Sequence, residues 1–321
     1  MIANAFLLVV GLVLILYGAR LLVEGAASIA KRFNVSDLVI GLTVVAFGTS
    51  MPELVINVFS ALKGSTGIAI GNVLGSNIAN ILLILGLAAL VRPLTLTVNT
   101  QWKEIPFSLL AALVLGIMAN DVWLNDGHMD NEISLADGLI LLCFLAIFMV
   151  YTFEMAIFNP EEADETIPRP IWMSMLFLTF GVVGLYFGGQ MFVDGAIGIA
   201  RTLGWSERLI GLTIVAVGTS IPELATSVVA AWNKRTAMAI GNVIGSNILN
   251  VFLILGVTAV IKPLPFITPA MNHDLAFLMV ASALLFVTTL LYSPRRIGRR
   301  AGGLYLFLYI AYIASLIFVH E

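Results

Sequence analysis

Apolar residues run along this chain in long blocks separated by short polar breaks. The blocks fall at about 3–30, 37–61, 67–90, 103–120 and 134–154, and then at about 171–200, 207–232, 237–261, 272–292 and 301–319. Each is close to the roughly 20 apolar residues that a helix needs to cross a hydrocarbon core. The pattern predicts an all-α membrane protein of ten transmembrane helices. Polar residues inside the blocks are few, and they concentrate in the second, third, seventh and eighth.

The spacing of those polar residues exposes an internal repeat. Residues 41–86 read GLTVVAFGTSMPELVINVFSALKGSTGIAIGNVLGSNIANILLILG, and residues 211–256 read GLTIVAVGTSIPELATSVVAAWNKRTAMAIGNVIGSNILNVFLILG. At a constant offset of 170 they are identical at 28 of 46 positions without a gap. The offset extends upstream, matching Glu24 with Asp194 and Ser36 with Ser206, and downstream to the Arg92-Pro93 and Lys262-Pro263 turns. Each half holds five spans, an odd number, so the second copy enters the membrane from the opposite side. That is the inverted-repeat plan of many secondary transporters. The expected organisation is a first five-helix repeat over 1–154, a short linker over 155–170 and a second five-helix repeat over 171–321.

Basic residues in the loops orient the chain. With the N-terminus outside, the cytoplasmic loops hold eleven lysines and arginines, among them Lys31, Arg169, Arg235 and the 295–300 cluster, against four in the outer loops. Both termini are therefore expected outside, with the acidic linker in the cytoplasm. The 295–300 cluster reads as a loop anchor, within reach of anionic lipid.

Composition agrees with this picture and narrows the partners. The chain is 60% hydrophobic and only 11% charged, against about 25% charged in soluble domains. The natural partner is a lipid bilayer. No basic run suits nucleic acid, and no obligatory protein partner is indicated. Cys143 is the single cysteine and reads as a small residue facing lipid or core. The first apolar block lacks the basic leader of a signal peptide, and it recurs in mid-chain, so it belongs to the fold.

The chemistry sits in GTSMPE (48–53) and GTSIPE (218–223), each in mid-span. A proline there removes a backbone donor and strains the preceding turn, which is expected to kink the helix and free carbonyls around 46–49 and 216–219. In a bilayer such backbone is tolerated only where it lines a cavity or is covered by protein. Glu53 lies one turn after Thr49, and Glu223 one turn after Thr219. A charge at the bilayer centre costs at least ~2.5–3.5 kcal/mol, so two in symmetric positions point to function. The second motif, AIGNVLGSNIAN (69–80) with its copy AIGNVIGSNILN (239–250), puts Ser76 and Asn80, and Ser246 and Asn250, on one helix face each. Its small residues also suit close helix packing, and isolated hydroxyl and amide groups in membrane helices commonly serve as interhelical hydrogen bonders. All candidate ligands are oxygens. Hard cations such as Ca2+ take about six to eight of them. His128, His273 and His320 fall in loops or at the terminus, which argues against zinc, copper or iron.

At these residues the chain resembles the cation/calcium antiporter (CaCA) superfamily, which includes Na+/Ca2+ exchangers. The GTSxPE and GNxxGSNIxN pairs match the two alpha repeats of that family, and the ten-helix layout resembles it over the whole chain. The resemblance implies a secondary antiporter, not an enzyme and without a cofactor, exchanging Na+ for Ca2+ by alternating access in the plasma membrane (the cell inner membrane), which it crosses many times. It implies that Glu53 and Glu223 are the central carboxylates and that Thr49 and Thr219 offer backbone oxygens to Ca2+. It also implies that Ala46, Ala216, Ser50, Ser220, Ser76 and Ser246 form flanking Na+ sites. Asn80 and Asn250 would border the centre, and the long first and sixth helices would slide across the rest. Some members carry aspartate where this chain has Asn80 or Asn250, which leaves the stoichiometry open. An H+/Ca2+ or K+-dependent antiporter and a passive cation channel are the other readings.

Three acidic or basic features lie outside the motifs. Glu24 and Asp194 read as interfacial acids, or alternatively as a cation-attracting entrance. Arg20, matched by Gln190, is expected to reach toward the interface or pair with a nearby acid. The loop over 120–134 is acidic but lacks the spacing of a Ca2+-binding EF-hand loop.

Overall fold

A computed structural model describes residues 1–64, 66–120, 131–158, 168–204, 216–266, 269–292 and 295–319. Most of the acidic loop over 120–134, most of the linker, the start of the seventh span, and His128 and His320 therefore lie outside the described residues. The helices are α1 (Ile2–Phe33), α2 (Asp37–Leu62), α3 (Thr66–Val91), α4 (Thr100–Met118), α5 (Leu135–Phe158), α6 (Ile171–Thr202), α7 (Ile221–Trp232), α8 (Thr236–Ile261), α9 (Met271–Leu291) and α10 (Arg299–Val319). Among the described residues, eight helices are long and apolar enough to cross a membrane; α7 and α10 occupy the places of the seventh and tenth predicted spans.

Local sequence explains several ends. Asn34 closes α1 in the left-handed region at φ 57°, a conformation asparagine tolerates. Ser36 then caps α2, its hydroxyl accepting from the Val39 amide at 3.3 Å. The fifth helix runs on to Phe158 rather than stopping near 154, and His273, expected in a loop, lies within α9.

The two motif-bearing helices α3 and α8 form the centre, with 78% of each apolar window buried, against 33% for α1 and 22% for α6. The long helices α1 and α6 pack on each other along an antiparallel seam of glycines seven residues apart. A side chain on Gly11 would come within 2.5 Å of the Phe192 amide, and one on Gly195 within 2.6 Å of the Leu8 amide. Only glycine permits that approach, the same logic that governs close helix pairs in bilayers.

Two short ribbons tie the halves together. Leu94–Thr95, after α3, pairs antiparallel with Arg296–Ile297, before α10. Glu132–Ile133, before α5, pairs antiparallel with Leu264–Pro265, after α8. A matched pair of side-chain contacts repeats the theme: the Tyr151 hydroxyl on α5 donates to Glu104 on α4, and the Tyr312 hydroxyl on α10 donates to Asp274 on α9 at 3.0 Å. Glu104 and Asp274 are separated by the repeat offset of 170.

Candidate cation-binding site

The two GTSxPE segments do not take the same form. In α2 a π turn over Gly41–Val45 leads into unbroken helix from Ala46 to Leu62, straight through Pro52. Proline lacks an N–H, so the Gly48 carbonyl has no donor one turn on. In the second half a short turn of helix over Ala216–Gly218 stops, Thr219 and Ser220 form a turn, and α7 starts at Ile221 with Glu223 in its first turn. The expected break is thus realised at 219–220, whereas the first half absorbs its proline within the helix.

The central helices carry a feature the sequence pattern did not announce. A π turn spans Ala79–Ile84 in α3 and Asn250–Leu255 in α8, so each π turn includes the last asparagine of its motif. Such turns insert an extra residue into the helix and occur frequently at functional sites.

Side chains from both halves meet between these helices. Glu53 and Glu223 are each 1% exposed and lie within electrostatic reach of each other. The Ser50 hydroxyl stands 3.1 Å from Glu223 Oε1 and 3.1 Å from Ser246 Oγ. It is placed to donate to either, and its one proton serves one of them at a time. Ser76 Oγ lies 3.4 Å from Thr219 Oγ1, again across the repeat. The asparagines exchange bonds crosswise. Asn80 Nδ2 donates to Asn247 Oδ1 at 2.9 Å, and Asn250 Nδ2 donates to Asn77 Oδ1 at 2.9 Å. Spending each Nδ2 on the opposite repeat fixes the amide orientation and leaves the Asn80 and Asn250 oxygens without partners.

Not every candidate points inward. The Thr49 hydroxyl lies 3.2 Å from the Ala46 carbonyl and 3.2 Å from Asn242 Oδ1, so its side chain is committed to the scaffold. Ala46 is fully buried. Ser220 is buried with an unpartnered hydroxyl. The supporting residues missed by the sequence reading are Asn57, Ser227, Asn242 and Asn247. Asn242 donates to Ser227 at 2.9 Å, and Asn72 donates to Asn57 at 3.1 Å, the same contact one repeat apart. The asparagine spacing within each GNxxGSNIxN motif was the available signal.

Among the described residues, several buried oxygens here have no hydrogen-bond partner: both of Glu53, Oε2 of Glu223, Oδ1 of Asn80 and of Asn250, and the Ser220 hydroxyl. A buried acceptor left unpaired costs about 1–3 kcal/mol, more when charged. The unmet demand is for positive charge, supplied by oxygens alone. Among the described residues no group of three or more His, Cys, Asp or Glu side chains forms a denser metal cluster. Two carboxylates with neutral oxygens around them suit Na+ or Ca2+ as cargo.

A cavity of about 210 Å3 opens between α6 and the site, lined by Pro52, Gly189, Gln190, Asp194, Gly218 and Thr219. Of the α1 and α2 positions one repeat earlier, Ala19, Val23 and Thr49 are buried, whereas Arg20 is exposed and Glu24 partly exposed.

The sequence matches the family described as Sodium/calcium exchanger protein over residues 3–154 and 173–318. It is 39% identical over 308 residues to Uncharacterized membrane protein MJ0091 of Methanocaldococcus jannaschii, covering 95% of each chain. It is 37% identical over 324 residues to Putative antiporter CaxA of Alkalimonas amylolytica, covering 97% of this chain and 98% of that one. A solved structure of the sodium-calcium exchanger NCX_Mj, soaked with zero Na+ and Ca2+, is similar at a TM-score of 0.85 and 37% identity over 98% of this chain and 99% of that one.

Proposed function

The chain belongs to the sodium/calcium exchanger family of membrane antiporters, and from that premise we propose that it exchanges Na+ for Ca2+ by alternating access at the site around Glu53 and Glu223. The observation that carries the reading is the set of unpaired oxygens, contributed by both halves, around two buried carboxylates. Glu53 and Glu223 are the central ligands, with Thr49 and Thr219 lending backbone oxygen. Ser50, Ser220, Ser76, Ser246, Ala46 and Ala216 form the flanking Na+ positions, and Asn80 and Asn250 the border.

Ten crossings in two inverted repeats, 1–154 and 171–321 about the 155–170 linker, fit the two ribbons. Each ribbon pairs a loop of one half with a loop of the other, and ten crossings put the paired loops on the same side of the membrane. Basic residues favour both termini outside a plasma membrane, which makes the open cavity the external one. Na+ and Ca2+ compete for the same oxygens, so either neutralises the glutamates and permits the switch. Coupling follows from that exclusivity.

The test is radiolabelled Ca2+ uptake into proteoliposomes, with Na+, K+ and H+ gradients imposed in turn. Uptake against a Ca2+ gradient driven by Na+ alone is expected. Uptake driven only by a pH gradient would assign H+ as the counter-ion, and purely downhill flux would make the protein a channel.

A further inference from the structure

The repeat is symmetric at the glutamates and asymmetric at the mouths. The mouth that stands open here is lined by Gln190 and Asp194 of α6. Asp194 is exposed and makes no ion pair among the described residues. The corresponding positions of α1 are Arg20 and Glu24. They border a separate recess of about 410 Å3 at the opposite end of the antiparallel α1–α6 pair, together with Lys31, Arg169 and Arg235. Both oxygens of Glu24 are engaged there. Arg20 Nε binds Oε1 at 2.8 Å, and an Arg169 guanidinium nitrogen binds Oε2 at 2.7 Å. Arg169 also lies over the Phe177 ring at 4.6 Å, which holds it in place. Arg235 pairs with Asp37 at 2.9 Å. Among the described residues Glu24 is thus held by two guanidiniums, and the acid that mirrors Asp194 is already neutralised.

We propose that Arg20 sets unequal cation affinities at the two faces of the membrane. When the α1 side opens, the approaching cation meets Arg20 and a capped Glu24 where the α6 side presents Gln190 and an unpaired Asp194. The inference rests on the alternating-access reading above. A cation released through the Arg20 mouth leaves readily and rebinds poorly, while the Asp194 mouth gathers cations. Arg20 acts through the field it places in the mouth, without touching the bound ion.

The size of the effect follows from Coulomb's law. A unit charge about 10 Å from the ion in a water-filled mouth changes occupancy about fourfold for a divalent ion and about twofold for a monovalent one. Salt above about 0.5 M screens most of that at this distance.

The experiment is Na+–Ca2+ exchange in oriented vesicles, with KM for Ca2+ and for Na+ read separately at each face. Arg20→Gln, which copies the other repeat, is expected to lower KM at the Arg20 face about fourfold for Ca2+ and about twofold for Na+. The opposite face should not change, inert salt should abolish the shift, and Arg20→Lys should behave as wild type. The mirror substitution Gln190→Arg should raise KM for Ca2+ about fourfold at its own face, which keeps the test decisive where Arg20→Gln inserts poorly. Equal shifts at both faces, equal shifts for both ions, or no shift would overturn the proposal. Wild-type exchange without a face-selective shift counts against this inference alone; no Na+-driven uptake in wild type counts against the antiport reading beneath it.

Discussion

GTSMPE in α2 and GTSIPE ahead of α7 share five of six residues yet live in different surroundings. The first stays wound through Pro52, and its Ser50 reaches across to Glu223 and Ser246. The second is broken at Thr219–Ser220, and the Ser220 hydroxyl meets nothing. The α1 residues Ile15 and Ala19 are sealed, at 3% and 0% exposure, while one open cavity touches both segments, at Pro52 of the first and at Gly218, Thr219 and Pro222 of the second. The difference arises from conformation, since the residues themselves are nearly the same. One arrangement of the helices pairs the Ser50 hydroxyl and leaves Ser220 unpaired, while among the described residues Glu53 has no partner on either oxygen and Glu223 has one. If the molecule alternates as proposed, its two copies of the motif exchange these roles in the other state.

The strongest challenge to that comparison is to remove either carboxylate. Glu53→Gln and Glu223→Gln should each lower Na+-driven Ca2+ uptake at least ~100-fold, since each deletes a buried charge that its partner ion must balance. Unequal losses, with one variant near wild type, would mean that the two glutamates are not a symmetric pair.

Serine substitutions sharpen the point further. Ser50→Ala removes the hydroxyl that donates to Glu223 and should reduce exchange about tenfold, the scale of a hydrogen bond to a charged group. In a static molecule Ser220→Ala would cost little, because that hydroxyl has no partner here. If the halves exchange roles, Ser220→Ala should fall by about the same tenfold in turnover. Single-turnover uptake alongside steady-state rates separates these outcomes.

The crosswise amides predict a milder effect. Asn247→Ala leaves Asn80 free to rotate, and about a three- to tenfold rise in KM for Ca2+ is expected, with Asn77→Ala matching it through Asn250. A change in turnover with KM untouched would show that these residues serve packing instead.

Acidification should give the smallest effect at high Ca2+. A protonated carboxylate cannot hold a cation, so exchange should fall as pH drops and recover with added Ca2+. Inhibition that saturating Ca2+ fails to relieve would place the critical proton elsewhere.

Much of this was legible in the chain because it rests on local information. Apolar block length marked the spans, and the constant offset between the GTSxPE segments and between the GNxxGSNIxN segments revealed two copies. A glutamate in mid-span announces itself by its cost. What stayed hidden depends on tertiary partners. Which proline segment breaks is not set by its own residues, since GTSMPE stays wound and GTSIPE does not. The π turns at Asn80 and Asn250 and the exchange through Asn77 and Asn247 need both halves assembled. The Thr49 hydroxyl is claimed by Ala46 and Asn242, a competition that no spacing rule reports. The α1–α6 seam left a visible trace, glycines at 11, 18 and 25 and at 181, 188 and 195, whose meaning required seeing the two helices side by side.

That seam has an electrical consequence. Each helix of this length carries a macrodipole equivalent to about half an elementary charge at either end. Lying antiparallel and in close contact, α1 and α6 oppose each other's dipoles almost completely. Displacing the pair along its axis then carries little peptide charge through the transmembrane voltage. In the proposed alternating access, any voltage dependence of transport would be a readout of the ions and of charged side chains, with the paired helix backbones electrically quiet.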